Sequence, residues 1–114
     1  MKKTSLISIV AVAAASALML SGCAAGTSTS TRACVILPDA DSGTRWEPGD
    51  RPALEKALTE AGYEADIQNA QSDTAKFATI ADQQLSKGCG VMILVDYQGA
   101  GASVVEKAKA QGIP

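Results

Sequence analysis

The sequence predicts an α/β fold built on a parallel, doubly wound sheet. Short apolar runs that begin near Ala33, Tyr63 and Gly90 alternate with segments whose apolar residues recur at helical spacing. The three β-α units repeat at roughly 30 residues, and such units join parallel strands through right-handed crossovers. We expect the strand order 2-1-3, in which the carboxyl ends of strands 1 and 3 flank the region where such sheets bind ligands.

The first unit begins with Ala33–Pro38, an apolar run that predicts a buried strand. A loop rich in Asp, Ser, Gly and Thr follows over Asp39–Gly49. Asp50 is the expected N-cap of the first helix, with Pro52 in its first turn and Gly62 at its end. Its apolar residues recur at helical spacing and are Leu54, Ala57, Leu58 and Ala61.

The second unit begins with Tyr63–Ile67, where alternating apolar and charged residues predict a strand near an edge. After a loop over Asn69–Asp73, either Ser72 or Asp73 can cap the next helix, which Gly88 ends. The apolar stripe of this helix consists of Phe77, Ile80, Ala81 and Leu85.

The third unit begins with Gly90–Val95, the most apolar strand, which we expect to be central and covered on both faces. A loop over Asp96–Gly101 leads to a helix over Ala102–Gln111. Its inward residues are expected to be Val104, Val105 and Ala108. Gly112–Pro114 is expected to begin a further strand.

The amino-terminal segment has the features of an export signal. Met1–Thr4 is positively charged, and the uncharged apolar run Ser5–Leu20 is shorter than the ~20 residues of a spanning helix. Leu20-Ser21-Gly22-Cys23 resembles a bacterial lipobox, whose Cys thiol receives the lipid; the alternative is an ordinary secretory signal with a chance Cys. We predict a lipoprotein signal peptide over 1–22, a flexible tether over 23–32 and the folded part over 33–114.

Composition excludes several function classes. The formal net charge of −2 is too small and of the wrong sign for a protein that binds nucleic acid through phosphate contacts. The absence of His excludes His-based catalytic triads and His metal sites. No metal and no cofactor is expected.

The loops and the last residues carry a recognisable pattern. P-D-x-x-S-G-T-R-W follows strand 1, N-A-Q-S-D follows strand 2, V-D-Y-Q-G ends strand 3, and K-A-Q-G-I-P follows the third helix. With the intervening elements, this pattern resembles the N-terminal part of a type I periplasmic sugar-binding protein of an ABC importer, and is most similar to the xylose- and ribose-binding branch. Since that family continues into a second lobe and a hinge, the resemblance implies that 33–114 is an incomplete N-terminal lobe.

The resemblance implies that Arg45 and Trp46 contact sugar. A pyranose presents apolar C–H faces that stack on an aromatic ring and a rim of hydroxyls that suits a guanidinium. The alternatives are a hydrophobic cap on the first helix for Trp46 and a solvated loop charge for Arg45.

Four further residues are candidate sugar contacts. Asp39 and Asp41 can accept hydroxyl hydrogens, although Asp is common in turns for backbone reasons alone. Asp96 stands where several relatives have a non-acidic residue, so hydroxyl acceptor, helix N-cap and hinge contact stay open. Tyr97 is either a ligand contact or a loop-packing residue.

Cys34 and Cys89 precede or open strands 1 and 3, which should be neighbours, at the end of the sheet away from the ligand. In an exported protein this placement predicts a structural disulfide; two buried free thiols are the alternative. A redox site is not expected, since no C-x-x-C is present.

These features together predict a non-enzymatic lipoprotein on the outer face of a membrane or in the periplasm. It would capture a monosaccharide, a pentose or hexose such as xylose, by hinge closure and deliver it to ABC permease subunits. One alternative is a receptor of the same fold that presents a sugar or autoinducer to a sensor kinase. An exported flavodoxin-like enzyme is disfavoured because the glycine-rich pattern after strand 1 is missing.

Overall fold

A central strand organises the structure, a computed structural model that describes residues 29–39 and 45–114. β1 (Arg32–Leu37) lies between β2 (Glu64–Asn69) and β3 (Val91–Leu94), and both pairings are parallel. The predicted α/β class and the strand order 2-1-3 are confirmed.

In the described ranges, three α-helices cover the sheet. α1 (Arg51–Glu60) follows a wide helical turn over Trp46–Asp50, α2 (Thr74–Lys87) joins β2 to β3, and α3 (Gly101–Ala110) follows β3. No helix in the described ranges is long and apolar enough to cross a membrane.

Burial is complete along β1, where Ala33 to Leu37 are 0% exposed. Successive side chains of a strand point to opposite faces of the sheet. Val35 and Leu37 pack with Ile67 on the face that α1 covers, through Leu54 and Leu58. Ile36 packs on the other face against a cluster supplied mainly by α2 and α3.

The prediction that the third strand is central and covered on both faces is wrong for the described part of the chain. β3 is at one edge of the three strands, and its residues are only half-buried. The predicted order 2-1-3 already puts strand 3 on the outer side of strand 1, and its high apolar content indicates a burial that the three described strands do not supply. On the outer side of β3, the backbone N–H of Met92 donates to the Pro114 carbonyl at 2.9 Å, although Gly112–Pro114 does not itself form a strand.

Helix periodicity predicted the buried residues of α2 correctly and those of α3 in part. Phe77, Ile80, Ala81 and Leu85 are all buried. In α3, Val104 and Ala108 are buried one turn apart, whereas Val105 is 52% exposed and not inward as predicted. Val105 is one step around the helix from that stripe, so its side chain turns toward solvent.

The two predicted helix caps have opposite outcomes. The Asp73 carboxylate accepts hydrogen bonds from the backbone N–H groups of Ala75 and Lys76, and therefore caps α2. Asp50 makes no side-chain capping bond and has helical dihedrals, φ −70° and ψ −40°. The cap prediction for Asp50 is wrong because the chain already turns helically from Trp46, within the segment predicted as a loop.

A disulfide joins Cys34 in β1 to Cys89 just before β3, with 5.8 Å between their Cα atoms. The pairing is the one that the sequence predicts. Beside it, the Ser30 hydroxyl donates to the Gly88 carbonyl at 3.1 Å, and the Ser30 carbonyl lies where a Cβ on Gly90 would stand, at 1.9 Å. This close approach requires glycine at position 90.

Candidate functional site

The loops that follow β1 and β3 begin side by side. Ile36 of β1 is paired with Leu94 of β3, and the chain leaves the two strands toward Asp39 and Asp96 respectively. This is the edge of a doubly wound sheet where ligands bind. The predicted Cys23 and Asp41 lie outside the described residues.

Arg45 and Trp46 form a stacked pair at the start of the Trp46–Asp50 turn. The guanidinium carbon of Arg45 lies 4.3 Å from the centroid of the Trp46 ring. Its Nε also donates to the Asp50 carboxylate at 3.2 Å, and its side chain is 69% exposed. Such an exposed cation–π contact contributes about 0.5–1 kcal/mol, so the guanidinium can leave the ring at low cost.

The Trp46 ring is also part of the packing beneath α1. It is partly buried and contacts the cluster of Val35, Leu37 and Ile67. For the part of the ring that makes this contact, the interpretation of Trp46 as a hydrophobic cap on the first helix fits. The Arg45 guanidinium at the same ring shows that a polar planar group also fits against it.

A hydrogen-bonded network that the sequence did not reveal lies beside this pair. Asn69, the last residue of β2, donates through Nδ2 to the Asp39 carbonyl at 2.7 Å and to Oε1 of Glu47 at 2.6 Å. Arg51 donates to both Glu47 oxygens, at 2.5 and 3.0 Å, and to the Ile67 carbonyl at 2.7 Å. The i,i+4 spacing of Glu47 and Arg51 was the available sequence signal.

Electrostatics fix the charge state of this network. The hydrogen bonds from Arg51 hold the pKa of Glu47 below its ordinary value, burial opposes that shift, and the bond from Asn69 adds to it. The same pair raises the pKa of Arg51. Glu47 is therefore a carboxylate at neutral pH, with charge-assisted bonds to its partners.

Asp96 organises the loop between β3 and α3. Its Oδ2 accepts from the Gly99 N–H at 2.9 Å and its Oδ1 from the Gly101 N–H at 2.7 Å, the latter at the first residue of α3. A Cβ at position 101 would stand 2.8 Å from Oδ1. Of the interpretations left open for Asp96, this geometry matches a helix-capping carboxylate.

Tyr97 and Asp39 have structural partners in these loops. The Tyr97 ring is half-buried against the cluster that contains Ile36, and its hydroxyl accepts from Gln98 at 3.2 Å. Asp39 is half-buried, and its backbone carbonyl accepts a hydrogen bond from the Asn69 amide.

A polar groove of about 610 Å³ lies at β2 rather than at the two loops. Its lining includes Glu47, Arg51, Gln68 and Asn69, and none of the candidate sugar contacts. Arg51 donates to the Ile67 carbonyl of β2, which is an edge strand. One backbone acceptor on this edge of the sheet is therefore already hydrogen-bonded. In the described part of the chain, no cluster of three or more potential metal-ligating residues is present.

The arrangement defines an open α/β sheet whose carboxyl-end loops present an aromatic–guanidinium pair held by a polar network. No protein-family model matches the chain, and no curated protein matches it.

Two solved structures are similar in fold and sequence. One is a solute-binding protein of a carbohydrate transporter from Chloroflexus aurantiacus in complex with D-glucose, with 32% identity and a TM-score of 0.62 over 71% of this chain and 24% of that one. The other is an ABC transporter solute-binding protein from Clostridium phytofermentans with bound β-D-glucose, with 30% identity and a TM-score of 0.65 over 71% of this chain and 25% of that one. The chain thus spans about a quarter of their length.

Proposed function

We propose that the chain belongs to a solute-binding lipoprotein that captures a monosaccharide and delivers it to the permease of an ABC importer. The ligand is a hexose or a pentose, with xylose among the candidates. Capture proceeds by hinge closure, without covalent chemistry. The chain supplies the part of the site that the first lobe contributes.

The likeness to two sugar-binding transporter proteins supports this proposal. Each was solved with glucose bound, and each is at least 30% identical to this chain over 71% of its residues. Both are solute-binding proteins, so the likeness favours a binding role over an enzymatic one.

The observation that carries the proposal is the stacked pair of Arg45 and Trp46 at the carboxyl edge of the sheet. An indole ring offers the C–H face of a pyranose a stacking surface, and a guanidinium offers several donors to its hydroxyl rim. Arg45 and Trp46 are consecutive in the chain and lie beside the carboxyl end of β1.

Sugar binding at this pair requires Arg45 to move. The guanidinium occupies the ring at 4.3 Å and is also paired with Asp50 in solvent. Such an exposed ion pair contributes about 0.2–1 kcal/mol. A pyranose that stacks on the indole therefore displaces Arg45 cheaply, and the released guanidinium is close enough to donate to the sugar rim.

Export and lipid anchoring complete the proposal. Residues 1–22 have the charge and apolar pattern of a lipoprotein signal, and Cys23 is the proposed lipid acceptor. The proposed tether joins Cys23, at the outer face of a membrane, to the folded part, which begins before position 33 because Arg32 is already in β1 and Ser30 is hydrogen-bonded to Gly88. This location places a captured sugar next to a permease.

The test is a calorimetric titration of the complete product of the reading frame that contains this chain, expressed without residues 1–22. We expect saturable binding of D-glucose or D-xylose and no binding of mannitol, an acyclic polyol that has no pyranose face. Absence of saturable binding for both pyranoses and for D-ribose would contradict the proposal.

A further inference from the structure

We propose that Asn69 and Glu47 are positioning residues that hold the turn carrying Trp46, and with it the indole ring, in place for the sugar. This inference rests on the proposed function, since the Arg45–Trp46 pair is the proposed sugar contact. Asn69 is the first residue of the N-A-Q-S-D stretch in the sequence pattern, but neither Asn69 nor Glu47 was among the candidate sugar contacts. The role is assigned from contacts that join the end of β2 to the segment between β1 and α1, 30 and 22 positions away in the sequence.

Asn69 ties together the three chain segments around the site. Its amide nitrogen donates to the Asp39 carbonyl, in the loop after β1, and to Glu47, in the turn before α1. Its amide oxygen accepts from the Gln71 N–H at 2.8 Å, in the loop after β2. One side chain at the end of β2 therefore fixes both ends of the segment that contains Arg45 and Trp46.

Glu47 carries this constraint to Trp46, its neighbour in the chain. Oε1 of Glu47 accepts from both Asn69 and Arg51, and Oε2 accepts from Arg51. Arg51 is anchored in turn to the Ile67 carbonyl of β2. The Glu47 side chain is thus bound to the sheet through two independent routes.

The backbone of the stacked pair is held as well. The Arg51 N–H donates to the Trp46 carbonyl, and the N–H groups of Gly49 and Asp50 both donate to the Arg45 carbonyl, at 3.0 and 2.8 Å. With the Glu47 side chain bound to the sheet, this hydrogen-bonded turn has a fixed orientation relative to β1. The indole ring is then presented at a defined angle before a ligand arrives.

The hydrogen bonds that Asn69 and Glu47 already make within the protein favour a positioning role over direct contact with the sugar. An Asn side chain has two N–H donors, and here both are used within the protein. The Glu47 oxygens together accept three bonds. The Asn69 donors are therefore already used within the protein, and we assign both groups a role that acts on the sugar through Trp46.

The variants that test this role are Asn69→Ala and Glu47→Gln. Asn69→Ala removes all three contacts of the amide, and Glu47→Gln keeps the shape of the side chain while removing its charge. Gln68→Ala is the matched control, since Gln68 is the neighbouring residue of β2 and its amide donates to Asp66 at 2.9 Å instead. Urea unfolding of each variant establishes that it is folded under the assay conditions.

The first readout is the indole N–H signal of Trp46 in protein labelled with 15N-tryptophan, assigned by its loss in Trp46→Phe. We expect a lower 1H–15N heteronuclear NOE for this signal in Asn69→Ala and Glu47→Gln without sugar, because the ring gains mobility. Gln68→Ala should leave the signal unchanged. A purely stabilising role would lower the unfolding midpoint and leave the indole NOE of the folded protein at its original value.

The second readout is the affinity for the pyranose that the unmodified protein binds. We expect a dissociation constant about 2- to 12-fold higher in both variants, since ordering one side chain on binding costs about 0.5–1.5 kcal/mol. An unchanged indole signal together with unchanged affinity would overturn the positioning role. If no sugar binds to the unmodified protein, the proposed function fails, and the indole readout alone decides the positioning role.

Discussion

Trp46 and Tyr97, the two aromatic candidates for sugar contact, pack on opposite faces of the sheet. Trp46 contacts the cluster that contains Val35, beneath α1. Tyr97 contacts the cluster that contains Ile36, which α2 and α3 cover. Because Val35 and Ile36 are successive residues of β1, their side chains point in opposite directions. The two aromatic rings therefore belong to separate packing clusters and are expected to contribute differently to binding.

Trp46→Ala is expected to weaken monosaccharide binding by about 1.5 kcal/mol, or roughly tenfold in Kd, because the stacking surface is lost. Tyr97→Phe removes a hydroxyl whose bond is to Gln98, and is expected to change binding by less than about 0.5 kcal/mol. Calorimetric titration of both variants measures the two effects. An unchanged affinity in Trp46→Ala would end the stacking role.

The Cys34–Cys89 disulfide is expected to stabilise the fold without contributing to the site. It joins residues separated by 55 positions, and closing a loop of that size contributes about 4 kcal/mol in the chain-entropy model. Urea unfolding with and without a phosphine reductant measures the difference. Sugar affinity of the folded protein is expected to be the same in both conditions, because Cys34 lies toward the start of β1 and the site follows its end. A midpoint that does not change on complete reduction would contradict this role.

Elements whose signal is local could be predicted from the sequence. The stripe of Phe77, Ile80, Ala81 and Leu85 follows from helical periodicity, and Asp73 lies directly before the first turn of α2. The strand order followed from the β-α repeat and crossover handedness. For the stripe and the cap a few neighbouring residues carry the information, whereas the strand order needs the whole β-α repeat.

The turn before α1 and its network could not be predicted, because their determinants are distant in sequence. Asn69 lies 30 positions from Asp39 and 22 from Glu47, and no short motif links such residues. Without those contacts, Asp50 was the natural N-cap, since it stands directly before Arg51-Pro52. The contacts from β2 hold Glu47 in the turn, and helical structure therefore begins at Trp46 rather than at Arg51.

The two predicted caps allow a direct comparison. Asp73→Ala is expected to lower the free energy of unfolding by about 1 kcal/mol, because two backbone N–H groups of α2 lose their acceptor. Asp50→Ala removes an exposed pair with Arg45 and no cap, so its expected cost is below about 0.5 kcal/mol. Urea unfolding of both variants at neutral pH measures the difference. Equal losses would restore Asp50 as a cap.

Stability is expected to fall in acid partly through Glu47. Its pKa is lowered in the folded protein by Arg51, so the folded state favours the ionised form more than the unfolded state does. The stabilisation is therefore present above the ordinary glutamate pKa of about 4.3 and is lost as the pH falls through the lower folded value.

Glu47→Gln removes this titration and isolates its contribution. The difference in unfolding free energy between the unmodified protein and the variant should shrink as the pH is lowered from about 6 to about 3. This interval spans the ordinary pKa values of carboxyl groups. Asp66 titrates in both proteins and cancels in the difference. Burial raises the pKa of Asp66, but hydrogen bonds from Gln68, Gln84 and Arg32, together with the positive charge of Lys87, lower it overall. A pH-independent difference would show that the Glu47 charge does not contribute.

Cys23→Ala is expected to abolish lipid attachment, because the proposed acceptor thiol is absent. In cells fed an alkyne-labelled fatty acid, the unmodified protein should carry the label and sediment with membranes, and Cys23→Ala should carry none. The matched control is the double variant Cys34→Ala with Cys89→Ala, which removes the chain's other two cysteines and should keep the label. Label that persists in Cys23→Ala would rule out Cys23 as the acceptor, and in the control the label is compared per amount of protein because the disulfide is lost. Loss of label with continued secretion would separate the lipid anchor from export itself.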